Sequence, residues 1–296
     1  MANLKEIRIR IGSVNTTQQI TKAMKLVAAS KLKRAQDRIL QMRPYSEKLN
    51  EILSNLLSSM EGEAGATFSK KREEKNVLIV VLTSDKGLCG GFNSNIIKAA
   101  RKLITENYAA QKKAGNVTLL CVGKKGYDFF KKDTELRFIN DHISLMAGLS
   151  FDKSQAVSQS LMNAFADAKY DVIELVYAKF KNAATQLYSV ERFLPVEPSA
   201  DSKTSKTKAD YIFEPNKELL LEELVPKILN TQFYKALLDT NASEHGARMV
   251  AMESATNNAN DLIRSLKIVY NRERQAAITK EILEIVGGAA ALEDKG

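Results

Sequence analysis

From residue 242 to residue 292 the chain holds no proline and consists largely of Ala, Leu, Met, Glu, Lys and Arg, all strong helix formers. Every seventh residue from Ala255 is apolar: Leu262, Val269, Ala276, Leu283 and Ala290 follow. The companion line four residues on begins with Ala259 and Leu266 and then turns polar at Glu273 and Lys280. A period of 3.5 held this long points to a coiled-coil seam. Losing one of its two lines predicts a helix that is paired at first and alone later.

The chain's start carries a matching pattern. One line runs Ile7, Val14, Thr21, Ala28, Ala35, Met42, Leu49, Leu56, and the other Leu4, Ile11, Gln18, Lys25, Leu32, Ile39, Ser46, Leu53. Both weaken around Gln18, Thr21 and Lys25. More than seven heptads exceed an ordinary globular helix. Pro44, which lacks an N–H, is expected to kink or break it. The helix is basic as well: up to Arg43 it carries ten Lys or Arg against Glu6 and Asp37. Pairing along the helix cannot neutralise that excess, so a binding face is expected. Aromatic residues are absent before Tyr45, which argues against a stacking surface for single-stranded nucleic acid.

Between these ends the composition changes. Residues 76–83, 117–123 and 171–180 are β-branched runs, with 186–196 a candidate fourth strand, and helical stretches alternate with them. That order predicts a Rossmann-like α/β domain with a mostly parallel sheet. The expected fold is α/β: a long antiparallel coiled coil of the terminal helices (1–60 and 212–296) plus a central domain (76–198). Residues 61–75 and 199–211 read as linkers, and Pro226 marks a bend.

The glycine-rich turn after the first strand does not carry dinucleotide or phosphate chemistry. GLCGGF lacks the G-x-G-x-x-G spacing, and no G-K-[ST] follows. Asp85, His142 and His245 assemble no catalytic or metal group. Cys89 and Cys121 lie in apolar contexts and read as reduced, buried thiols. No apolar run reaches the ~18 residues of a membrane span, and the first residues have no secretory pattern. The net charge of +9 asks for an acidic partner.

Three stretches carry a resemblance: residues 21–36 (TKAMKLVAASKLKRAQ), 84–93 (SDKGLCGGFN) and 247–259 (ARMVAMESATNNA). With the end ITKEILEIVGGAAA they resemble the gamma subunit of bacterial rotary F-type ATP synthases. Lys86 stands where many relatives have Arg. No cysteine-bearing insertion like that of photosynthetic relatives is present, so thiol regulation is not expected.

The resemblance implies a non-catalytic rotor shaft without cofactor, metal or directly bound nucleotide. Its implied partners are the alpha and beta subunits of the catalytic hexamer, the epsilon subunit and the membrane c-ring, and not nucleic acid. It implies a peripheral place on the cytoplasmic face of the inner membrane. Implied contact residues are Met24, Lys25, Lys31, Lys33, Arg34 and Lys86, with Arg248 beside Met24. An upper group comprises Arg274, Gln275, Thr279 and Glu281. Placing Met24 against Arg248 makes opposed residue numbers total about 272, so α-helix beyond Tyr270 is expected to stand alone for ~25 residues, almost 40 Å. Two other readings stay open on the residues alone: a basic coiled-coil protein binding nucleic acid, and a nucleotide-dependent enzyme on the α/β domain.

Overall fold

The computed structural model describes residues 4–59, 66–69, 72–196 and 217–293. The expected loop at 199–211 and residues 61–65 and 70–71 of the expected linker lie outside them. The rest of that linker is structured: Ala66–Ser69 forms a helical turn, α2, and Arg72 donates to the Phe165 carbonyl at 3.0 Å. The chain divides into two compact units, Met1–Val27 with Met249–Gly296, and Ala28–Arg248.

The second unit is built on a five-stranded sheet ordered β3-β2-β1-β4-β5. β1 (Val77–Leu82), β2 (Val117–Val122), β3 (Arg137–Ile139) and β4 (Val172–Phe180) run parallel to one another. β5 (Gln186–Leu194) closes the edge antiparallel to β4. β1 and β2 are buried at every position, as the continuous apolar runs require of strands covered on both faces. β3 had no counterpart in the sequence reading, for it is three residues long at an edge.

Alternate residues serve two cores. Leu78, Val80, Leu82, Ile173 and Leu175 pack with Leu161 and Phe165 of α6 (Phe151–Ala166) and with Ile228, Phe233 and Leu237 of α7 (Lys217–Glu293). Val77, Ile79, Val81, Leu119 and Cys121 pack with Phe92, Ile96 and Ile104 of α3 (Phe92–Asn107). α5 (Lys124–Phe130) follows β2, and the short α4 (Ala109–Lys113) follows α3. Glu174 puts a buried carboxylate beside this second core. It accepts from the Tyr108 hydroxyl at 3.0 Å and the Arg192 Nε at 3.3 Å, and burial raises its pKa.

Both thiols are free and buried. Burial lifts Cys121 to about 12 and raises Cys89 as well. Thiolates, not thiols, react. Iodoacetamide at pH 8 is therefore expected to leave both unmodified in the folded chain and to label both in denaturant. Mass spectrometry reads the result, and modification of the folded chain would contradict this packing.

The first unit is an antiparallel pair made by the start of α1 (Leu4–Ser59) and the end of α7. α1 continues through Pro44 without the expected break. Its inward positions are the heptad lines of the sequence: Ile7, Thr21, Ala28, Leu32, Ala35 and Ile39 are buried. The pairs that cross the seam are Arg8–Tyr270, Gln18–Asn260, Thr21–Thr256 and Lys25–Glu253. Opposed residue numbers thus total 277 or 278. The expected total of 272 is corrected: Met24 lies level with Ser254, not with Arg248, and Leu4 with Arg274.

Where both lines of α1 turn polar, the opposite helix supplies polar partners. Hydroxyls of Thr21 and Thr256 meet at 2.8 Å, and the Gln18 amide donates to Asn260 at 2.5 Å. Polar pairs inside an otherwise apolar seam favour one alignment over its neighbours at some cost in stability.

Candidate functional surface

On α7 the seam is formed by Met252, Ala259 and Ile263, which are buried, with Thr256, Leu266 and Tyr270 half-buried. The uninterrupted line 255-262-269-276-283 lies one position away from it. Leu262 is 40% exposed, Val269 36% and Leu283 66%. The strongest apolar repeat of the sequence is therefore turned away from the helix pair. Ile9, Ile20, Leu26 and Val27 of α1 are each more than half exposed, and so is Ile268. Large apolar side chains in that number mark a surface that something else covers.

Pairing ends near Arg274, where the described part of α1 begins. Ile278, Ile282, Leu283, Ile285 and Val286 are then 49–72% exposed. About twenty residues to the end of α7, ~30 Å of helix, have no paired helix among the described residues, a shorter stretch than the ~25 residues expected. Gly287 and Gly288 have open space where a Cβ would stand. Arg274, Gln275, Thr279 and Glu281 all lie exposed on this segment. The Thr279 hydroxyl donates to the Gln275 backbone carbonyl at 2.9 Å, one turn back on the same helix.

The basic side chains of α1 are only partly neutralised by neighbouring acids. Lys25 pairs with Glu253 at 2.6 Å and Lys33 with Asp37 at 3.0 Å. Among the described residues Arg10, Lys22, Lys31 and Arg34 have no carboxylate within ion-pair distance. Met24 is half-buried at the edge of the seam.

In the central unit, α7 lies at the carboxyl ends of β1 and β4, where the strand order reverses and α/β proteins hold ligands. The Ser243 hydroxyl donates to the Ala178 carbonyl at 3.1 Å. A Cβ on Gly246 would stand 3.1 Å from the Ala183 Cα, so glycine permits this approach. Arg248 donates to the Lys86 carbonyl at 2.9 Å and the Gly87 carbonyl at 3.2 Å. Its other nitrogen pairs with Glu244 at 2.6 Å, one turn earlier. Lys86 and Arg248 are thus brought together, but through the turn's backbone, and the Lys86 side chain stays exposed.

The turn itself is held by Asn93, whose Oδ1 accepts the Ser84 N–H at 3.0 Å, while Ser84 Oγ donates to the Lys86 carbonyl at 2.8 Å. Leu88 takes a left-handed φ of 62° and projects 66% exposed at the tip. Burial, with Arg248 and Lys31 nearby, pushes His245 down to about 4, so the ring is neutral and adds no charge here. Burial raises the Glu244 carboxyl, and Arg248 opposes that rise. Glu244 and Leu88 were not picked out in the sequence, and His245 was considered there only as a catalytic or metal-binding group. The i,i+4 spacing of Glu244 and Arg248 was the signal for the first of them.

No described helix is long and apolar enough to cross a membrane, and no cluster of three potential metal ligands exists among the described residues. An exposed apolar face, a basic face and an α/β body packed against its own long helix define a subunit of a larger assembly. The family model described as ATP synthase matches residues 3–292, and the chain belongs to that family. It is 54% identical to the ATP synthase gamma chain of Cytophaga hutchinsonii over 296 residues, covering 99% of this chain and all of that one. The gamma chain of Flavobacterium johnsoniae is 51% identical over 292 residues, with 99% of each covered. Among solved structures, the central stalk and c-ring of the Tetrahymena thermophila mitochondrial ATP synthase aligns with a TM-score of 0.56 at 29% identity, over 80% of this chain and 99% of that one. The Euglena gracilis mitochondrial enzyme has the same fold, with a TM-score of 0.64 at 20% identity over 98% and 94%.

Proposed function

We propose that this chain is the central rotor shaft of an F-type ATP synthase, coupling ion flow through a membrane ring to nucleotide chemistry in a surrounding hexamer. The observation that carries this reading is the unpaired end of α7, where five large apolar side chains stand exposed on a single helix. An isolated helix of that length is marginal in water, so its packing comes from a sleeve formed by other subunits. Contacts there are apolar and small or weakly ionic. Exposed ion pairs contribute only about 0–1 kcal/mol, which suits a surface that slides and re-forms.

In this role the chain performs no catalysis and binds no nucleotide itself. The filling of the sheet's crevice by Ser243, Gly246 and Arg248 favours that over a nucleotide-dependent enzyme. The basic residues Lys25, Lys31, Lys33, Arg34 and Lys86 meet acidic loops of the alpha and beta subunits. Arg274, Gln275, Thr279 and Glu281 bind loops higher in the hexamer, and the epsilon subunit and c-ring take the opposite end. The complex places the chain on the cytoplasmic face of the inner membrane. Exposed apolar residues interleaved with the cations favour protein contacts over a nucleic-acid groove.

Hydrogen exchange tests the sleeve. Amides of residues 275–293 are expected to exchange fast in the free chain and to become protected in the complex with ATPase subunits. Strong protection in the free chain would rule the reading out. The double replacement Gln275→Ala with Thr279→Ala is expected to lower ATPase turnover of the assembled complex several-fold while leaving assembly intact. Unchanged turnover would remove these two residues from the contact.

A further inference from the structure

A cavity of about 480 Å³ in the central unit is used by none of the contacts above. It is lined by Ile39, Met42 and Arg43 of α1, by Lys179, Phe180, Lys181 and Leu187 at the β4–β5 turn, and by Lys235, Leu238 and Asp239 of α7. Ile39 and Leu238 are buried at its base, while Leu187 remains 49% exposed, so an apolar wall opens toward solvent. Four cations border that wall. Lys179 is engaged by Glu191, but among the described residues Arg43, Lys181 and Lys235 have no carboxylate within ion-pair distance. Asp239 is the single acid in the lining. It accepts the Phe180 N–H, and burial pushes it up to about 6.

We propose that this cavity binds a small amphiphilic anion: an aliphatic or aromatic body carrying one carboxylate-type head. The size falls within the ~300–1,000 Å³ of small-molecule sites, which combine apolar walls with a few placed polar groups. The body covers Met42, Phe180, Leu187 and Leu238, and the head lies among Arg43, Lys181 and Lys235. Charge complementarity selects the sign of the ligand, since four cations border the cavity against one carboxylate, Asp239, which Lys235 and Arg43 already share. Simple phosphate would leave the apolar wall uncovered. A neutral amphiphile would leave the cations without counter-charge.

The test uses the purified full-length chain, with methyl resonances of Ile39, Met42, Leu187 and Leu238 as the readout. Decanoate, kept below its micellar range, is expected to shift these signals saturably. Butyrate has the head without the body, and 1-decanol the body without the head; each is expected to bind at least about tenfold more weakly. Replacing Lys181 and Lys235 together by Gln, at positions outside the core, is expected to weaken decanoate binding about tenfold or more. Equal binding of decanol, unchanged affinity in the double variant, or no shift at millimolar decanoate would each overturn the proposal. Saturation by a Glu-rich peptide with decanoate silent would also overturn it, making the cleft a protein-docking surface.

Discussion

Arg248→Ala is expected to destabilise the central unit by about 3–5 kcal/mol, the usual cost of leaving one member of a buried ion pair behind. The Arg248 and Glu244 side chains are only 12% and 9% exposed, so water does not replace the lost partner. The same change frees the Lys86 and Gly87 carbonyls, which Arg248 now caps. Two consequences separate these effects. Adding Glu244→Gln to the alanine variant is expected to recover most of the stability, because the buried charge is gone. It is not expected to recover coupling in the assembled enzyme, because the turn carrying Lys86 and Leu88 stays unheld. The sign of the pH dependence follows from the raised Glu244 carboxyl. In the alanine variant the native state holds that proton more tightly than the unfolded chain, so the deficit shrinks as pH falls toward the carboxylate range. Denaturant unfolding at pH 7 and pH 5 measures it; a deficit that grows on acidification would contradict the pairing.

Gly123→Ala is the second large effect, and here the backbone decides. Gly123 has a φ of 100°, and a Cβ there would stand 2.1 Å from the Thr83 carbonyl oxygen and 2.5 Å from its carbon. Those atoms directly follow β1, the central strand, and the Thr83 N–H donates to the Val122 carbonyl at 2.7 Å. Relief requires parting β1 from β2, so the loss is expected to exceed about 4 kcal/mol and to deplete soluble protein. Gly115→Ala is the control. It too has a positive φ, 69°, but meets nothing within 4 Å, and only the left-handed penalty of about 1–2 kcal/mol applies. Equal losses at the two sites would show that the contact with Thr83 is not what fixes Gly123.

Much of this architecture was legible because period and composition are local properties. The two heptad lines of α1 and the buried runs of β1, β2 and β4 follow directly from residue spacing. Register is not local. The heptads gave the seam of α1 but not its phase against α7, and the reference pair Met24–Arg248 set the total six residues short. The information was present in Gln18, Thr21 and Lys25, read as a weak stretch of the seam. They are the residues that find Asn260, Thr256 and Glu253. The apolar line through Leu262 and Val269 looked like the seam because regularity alone does not say which surface a helix turns inward. β3, with one exposed and two half-buried residues, carries too little pattern to be seen. The clamp of Arg248 on the turn after β1 joins residues far apart in sequence, and no spacing reveals it.

As a rotor, this chain turns within a ring of other subunits. The direct measurement attaches a probe to an exposed residue of the central unit, in a complex reconstituted with alpha and beta subunits fixed to a surface, and follows the probe while ATP is hydrolysed. Rotation in one direction is expected, with three preferred stopping positions per turn, abolished when an engineered disulfide joins the end of α7 to the surrounding ring and restored by reduction. Sustained ATP hydrolysis that depends on this chain, with the probe stationary or with undiminished turnover in the locked complex, would contradict it.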